Sequence, residues 1–220
     1  NYIIFEKFLF NELNEYSLIS KILKNNNIKA SVNCNYQTVP FFKKFKKEFL
    51  GKDKLSMKIT GGKWNLATSA IHYLDFFCFL TSKQISYLSF ENMGEKILKS
   101  KRQNYNEFGG LVTAKSKSND LILIESINNS SAPLCMDIIQ GNKAFHYNER
   151  SCLAYILLHK VKTTKKIDVN VNKPFQSDAT NKLLENIILK RKCDLPSYES
   201  SAKNHIRFLQ EIKKLSYKLK

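Results

Sequence analysis

From Ile85 to Tyr147 the chain is a succession of short extended segments broken by turn residues, and this succession constrains the fold more than any other feature. Ile85 to Glu91, Glu107 to Lys115, Leu121 to Ile127 and Leu134 to Gln140 read as strands, with Ser118-Asn119-Asp120 and Asn128-Asn129-Ser130-Ser131 as turns. Asn142 to Tyr147, after Gly141, adds a further strand. Consecutive strands joined by short turns pair antiparallel, and a sheet of this width covers helices on a single face. Two helices close the chain: Asp178 to Lys190, then Ser200 to Leu219, where His205, Phe208, Leu209, Ile212 and Leu215 recur at helical spacing.

The first third has a different texture. Tyr2 to Phe5 is a short apolar run that reads as a buried strand. A helix follows from Asn11, its expected N-cap, to Lys24, with Leu13, Tyr16, Ile19, Ile22 and Leu23 on one face. After the Asn25-Asn26-Asn27 turn, Ile28 to Asn33 is another strand, giving the strand–helix–strand unit of a parallel sheet. Pro40 opens a helix over Phe41 to Phe49, and Gly51 stops it. Leu55 to Thr60 reads as a strand, Gly61-Gly62 as a turn, and Ala67 to Leu80 as a strongly apolar helix. The class is therefore α+β with an α/β opening: a fragment of a parallel unit feeding an antiparallel sheet backed by helices.

Composition narrows the partners. Hydrophobic residues make up 43% and charged residues 25% of 220 residues, which excludes wholesale disorder. The formal charge of +17 suggests an anionic partner, but of 36 basic residues only Arg102, Arg150, Arg191 and Arg207 are arginine. Nucleic-acid readers draw on the bidentate guanidinium, so this balance disfavours nucleic acid. A solvated lysine surface, in a chain also rich in Asn, Ile and Phe, fits an AT-biased genome. The five cysteines show no CxxC pairing and several sit in apolar runs, which points to a reducing, cytoplasmic setting. Phe76 to Leu80 is too short to span a membrane, and Asp75 and Lys83 bracket it. Glu6 and Lys7 rule out a signal peptide at the start. His146 and His159 have no partners at metal-ligand spacing, so no metal site is expected. The first residue is Asn, not Met, which suggests part of a longer protein.

The stretch from Gly61 to Asp75 carries the chemistry. A helix starting after the glycines projects Asn65, Thr68, Ser69 and His72 along neighbouring rows, with Asp75 less directly aligned. An imidazole there can move a proton near neutrality. Spacing alone favours a core histidine satisfied by Asp75 or a backbone carbonyl. Lys7, ending the first strand after Glu6, can stabilise a developing alkoxide, or be one more surface lysine. No GxGxxG occurs anywhere, so the residues that would hold a pyrophosphate are absent from the sequence given.

Glu6-Lys7, the run Gly61 to Asp75 and the closing segment Cys193 to His205 together resemble the Gfo/Idh/MocA family of NAD(P)-dependent sugar oxidoreductases. The resemblance implies the end of a Rossmann-type α/β unit over residues 1–50. An open antiparallel-sheet domain for substrate binding and oligomerisation would then occupy 51–220, lacking the N-terminal nucleotide-binding half. It further implies NAD or NADP as cofactor and a sugar or nucleotide-sugar substrate, in surface polysaccharide biosynthesis. A homo-oligomer through the sheet follows from the same likeness. His72 would be the acid/base, and Lys7 would polarise the reacting oxygen and, with Glu6, approach the cofactor. Asn35, Tyr36, Thr68, Arg102 and Tyr105 would bind substrate, although an ordinary strand-end turn at Asn35-Tyr36 and a solvated loop at Arg102 and Tyr105 fit equally. Ser200 is expected to cap the last helix. Thr68 stands where many members carry Asp, and Phe8 where Pro is expected after Lys7. These departures support the alternative of a catalytically inactive scaffold or oligomerisation module.

Overall fold

The computed structural model describes residues 1–62, 64–91, 98–99, 106–172 and 176–218. The chain opens with strand β1 (Tyr2–Phe5), helix α1 (Leu13–Asn25) and strand β2 (Lys29–Val32), and β1 and β2 pair in parallel, as the strand–helix–strand pattern predicts. The N-cap of α1 is Glu12 and not Asn11: the Glu15 carboxylate accepts the Glu12 N–H at 3.0 Å, the reach-back bond of a capping box. A short 3-10 turn (Asn35–Thr38) leads into α2 (Pro40–Glu48).

Next come β3 (Leu55–Gly62), α3 (Leu66–Thr81), β4 (Ile85–Glu91), β5 (Leu98–Lys99), β6 (Asn106–Glu107), β7 (Gly110–Ser116) and β8 (Leu121–Ile127). The remainder is β9 (Cys135–Gln140), β10 (Lys143–Asn148), β11 (Leu153–His159), β12 (Thr164–Val169), α4 (Gln176–Lys190) and α5 (Tyr198–Lys218). Among the described residues the main sheet has the order β12-β11-β10-β9-β3-β8-β7-β4. Its pairs are antiparallel except one, since β3 runs parallel to β8. The antiparallel expectation fails at that pair because β3 precedes α3 in the chain and inserts at the centre of the later meander.

Three local expectations are corrected. Gly61 and Gly62 end β3 and do not form a turn. A Cβ on Gly62 would lie 2.2 Å from the Ser130 carbonyl oxygen, so the glycine permits close passage of the segment whose Ala132 carbonyl accepts the Gly62 N–H. The last helix begins at Tyr198, and Ser197, not Ser200, caps it, its Oγ accepting the Ser200 N–H at 3.2 Å. Strands β11 and β12 are additional to those read from the sequence. β12 is a largely exposed edge, Thr-Lys-Lys-Ile-Asp-Val, whose polarity hides its strand character.

The sheet's inner face supplies Met57, Ile59, Val112, Ile122, Ile124, Met136, Ile138, Phe145 and Ile156, all at most 1% exposed. Phe42 and Phe45 of α2 and most of α3 pack on it. α3 is apolar all round and sits between the sheet and α5. Its C-terminus is held by Lys46, which donates to the Phe79 carbonyl and to Ser82 Oγ. A second cluster, with Tyr16, Leu23, Tyr198 and Leu209, joins α1 to α5. No helix among the described residues is long and apolar enough to cross a membrane.

Candidate functional site

The site forms where β1 and β2 end and α3 begins. Two bonds fix the entry to α3: Trp64 Nε1 donates to the Glu125 carbonyl at 3.0 Å, and Ser126 Oγ donates to the Trp64 carbonyl at 2.8 Å. Asn65 is the N-cap residue but makes no side-chain capping bond. The carboxylate that satisfies the first turn comes from Glu107, which is 2% exposed. Its Oε2 accepts the Ala67 N–H at 3.0 Å and its Oε1 accepts the Thr68 hydroxyl at 2.7 Å.

Lys7 reaches the same turn. Its Nζ donates to the Thr68 carbonyl at 2.6 Å, placing the ammonium one helical turn before His72. The Lys7–Phe8 peptide is cis, and the Phe8 ring lies 4.8 Å from that of His205. Glu6 is exposed and its Oε1 accepts from Asn33 Nδ2 at 2.7 Å, tying the end of β1 to that of β2. His72 is half-buried, and its ring stands edge-on to Tyr36 at 6.4 Å.

Tyr36 belongs to the wall behind the site. It is 7% exposed and its hydroxyl donates to that of Tyr73 at 3.0 Å, while the Trp64 ring meets Tyr73 at 5.7 Å. Burial, reinforced by the negative charge of Glu149, pushes the Tyr36 phenol well above its ordinary range, so it stays protonated. Asn35 is exposed and lines a cleft of about 550 Å³ with Asn33, Thr38, Lys43, Asp178 and Asp194. Arg102 and Tyr105 lie outside the described residues.

Asp75 is engaged with α5. Its carboxylate is 3% exposed and accepts from Asn204 Nδ2 at 2.6 Å and from the Ser201 hydroxyl, both on α5. Burial raises the Cys34 thiol well above its usual value, and the Asp75 charge adds to the effect. Among the described residues no group of His, Cys, Asp and Glu could hold a metal ion. Sequence reasoning misses Glu107. The available signal is a carboxylate beside Phe108 and Gly109 at the mouth of a buried strand.

No family model matches the chain and no curated protein matches its sequence. Solved structures do match its shape. UDP-N-acetylglucosamine 3-dehydrogenase GnnA from Acidithiobacillus ferrooxidans superposes with a TM-score of 0.77 at 10% identity, over 99% of this chain and 71% of that one. The dehydrogenase MviM from Clostridium difficile gives 0.65 at 12% identity, covering 97% and 71%. A super-repressor mutant of Gal80p from Saccharomyces cerevisiae gives 0.69 at 13% identity, covering 97% and 70%. The chain has the fold of the Gfo/Idh/MocA-type oxidoreductases. Within that fold, the eight-stranded sheet backed by helices matches the C-terminal domain of those proteins.

Proposed function

We propose that this chain is the substrate-binding portion of a Gfo/Idh/MocA oxidoreductase that moves a hydride between NAD(P) and a hydroxyl-bearing carbon of a nucleotide sugar. The observation that carries the reading is the Lys7–Thr68 bond, which brings the ammonium onto the helix that bears His72. An ammonium and an imidazole at one helix end suit the two demands of hydroxyl oxidation: stabilising oxygen charge and accepting its proton. In this reading His72 takes the proton from the reacting hydroxyl and Lys7 holds that oxygen. Asn35 and the amide-lined cleft contact the remaining hydroxyls. Residues 1–50 would then be the end of the cofactor-binding unit and residues 51–220 the substrate domain.

The cofactor fit is one-sided. The β1–α1 connection, Glu6 to Glu12, holds no glycine and cannot let its backbone approach a pyrophosphate. These residues therefore fit the substrate end of the reaction and not the dinucleotide's phosphates. GnnA is by name a dehydrogenase of a UDP-linked sugar, on this same fold. That likeness favours a UDP-hexose as substrate, and the family resemblance read from the sequence adds a role in making surface polysaccharide.

The test is hydride transfer from a panel of UDP-hexoses to NAD⁺ or NADP⁺ by the chain joined to a nucleotide-binding half. Turnover is expected with at least one sugar, and Lys7→Met should lower it about 100-fold or more. Absence of turnover across the panel, with sugar binding intact, would leave the second reading, a scaffold without redox activity. Thr68 and Phe8, which depart from the family pattern, favour that alternative, and a super-repressor mutant of Gal80p has a similar fold.

A further inference from the structure

We infer that Glu107 is a positioning residue of this site: through the Thr68 hydroxyl its buried carboxylate fixes the turn of α3 from which His72 projects. The inference rests on the hydride-transfer reading above. A carboxylate only 2% exposed must have its oxygens satisfied. Glu107 spends both of them on consecutive residues, the Ala67 N–H and the Thr68 hydroxyl. A plain helix cap needs only the first bond. The second ties the carboxylate to the side chain whose backbone carbonyl Lys7 holds at 2.6 Å.

Thr68 is thus gripped from two sides, its hydroxyl by an anion and its carbonyl by a cation. In helical pairing the Thr68 carbonyl is also the acceptor for the His72 N–H. The Lys7 ammonium and the His72 backbone N–H therefore share one acceptor atom, and any displacement of the Thr68 peptide moves both. Glu107 resists that displacement. The same bond commits the single hydroxyl proton of Thr68, which can then accept from a bound sugar hydroxyl but not donate to one. Thr68 accordingly selects the donor orientation of whatever hydroxyl docks beside it. A carboxylate carried in from β6, 39 residues on in the chain, stands next to the position that the family resemblance reads as the lost acidic partner of His72.

The test compares Thr68→Val, Thr68→Ser and Glu107→Gln in hydride transfer, together with the imidazole carbon resonances of the protein's four histidines. Thr68→Val removes the hydroxyl but leaves the Ala67 bond to Glu107, so the helix stays capped. We expect Thr68→Val and Glu107→Gln to lower kcat about 10–100-fold, Glu107→Gln with KM little changed, as misplacement of a reacting group does, and Thr68→Val with a raised KM as well, because it also loses a contact to the sugar. Both should displace the His72 resonance, identified by its loss in His72→Asn. Thr68→Ser should restore rate and resonance. Wild-type kcat together with an unmoved His72 resonance in Thr68→Val and Glu107→Gln would overturn the role, whatever those variants do to stability. If His72→Asn itself turns over normally, the hydride-transfer reading fails and Glu107 with it. If His72→Asn is inactive and Thr68→Val is not, only the assignment of Glu107 is wrong.

Discussion

Asp75 lies three residues past His72, close enough in the sequence to orient its ring, yet both its oxygens are taken by Ser201 and Asn204 of α5. Helical spacing names the residues that can meet on one face, but not the helix packed against them. Removing this carboxylate as Asp75→Ala would strand two buried donors and should cost about 2–4 kcal/mol in chemical denaturation; a change below the error of the midpoint would contradict the network. His205 sits in the same interface, fully buried. Burial pulls its pKa below 6.5 and the Lys7 charge adds to this, while Asp75 and the Ser201 carbonyl oppose. A native pKa below the unfolded one means that the unfolded chain binds the extra proton first. This contribution to stability is therefore complete above about pH 6.5 and declines as pH falls below it. Denaturation midpoints of the wild type should drop across that window, and His205→Gln should flatten the drop. The approach of Lys7 to α3 was legible only through the family resemblance, since no local pattern ties the end of β1 to a helix some sixty residues on. Glu107 was not legible, since its meaning depends on a fold that returns it to the start of α3.

Elements with a strong periodic pattern read correctly: α2, α3, β4 and β8 stand within a residue or two of where composition and turn signals put them. The failures have physical causes. Gly61-Gly62 has the composition of a reversal, but these glycines serve the close crossing of residues 130–134 over the end of β3. Substituting Gly62→Ala forces a Cβ against that backbone and should destabilise the protein by about 1–3 kcal/mol. Gly51→Ala, with nothing within 4 Å of the new carbon, should stay within about 0.5 kcal/mol. Equal stability of the two variants, measured by thermal or urea unfolding, would refute the crossing. β12 escaped notice because an edge strand needs little apolar surface, and the parallel β3–β8 pair because strand order is set by packing, not by any local pattern.

At the scale of the whole molecule one face of the main sheet is covered by helices and the other carries Tyr87, Ile139 and Leu153, each 50% exposed or slightly more. Charges of both signs lie among them, as in the Asp137–His146 pair at 2.7 Å and the Lys166–Asp168 pair at 3.0 Å. We propose this face of mixed charge and apolar islands as the surface of the homo-oligomer that the family resemblance implies. Ile139→Asp should then lower the mass measured by light scattering to that of one chain; an unchanged mass would place the interface elsewhere or nowhere. The fold class was readable from the succession of strands, whereas oligomer and cofactor geometry involve surfaces no local pattern encodes. The claim on which function depends is that Lys7 and His72 serve one bound sugar. A double-mutant cycle on kcat/KM for hydride transfer, with Lys7→Met, His72→Asn and both together, addresses it directly. If the two act on the same reacting oxygen, the double variant should be little slower than the slower single one; losses that multiply in full would mean that the two residues work apart.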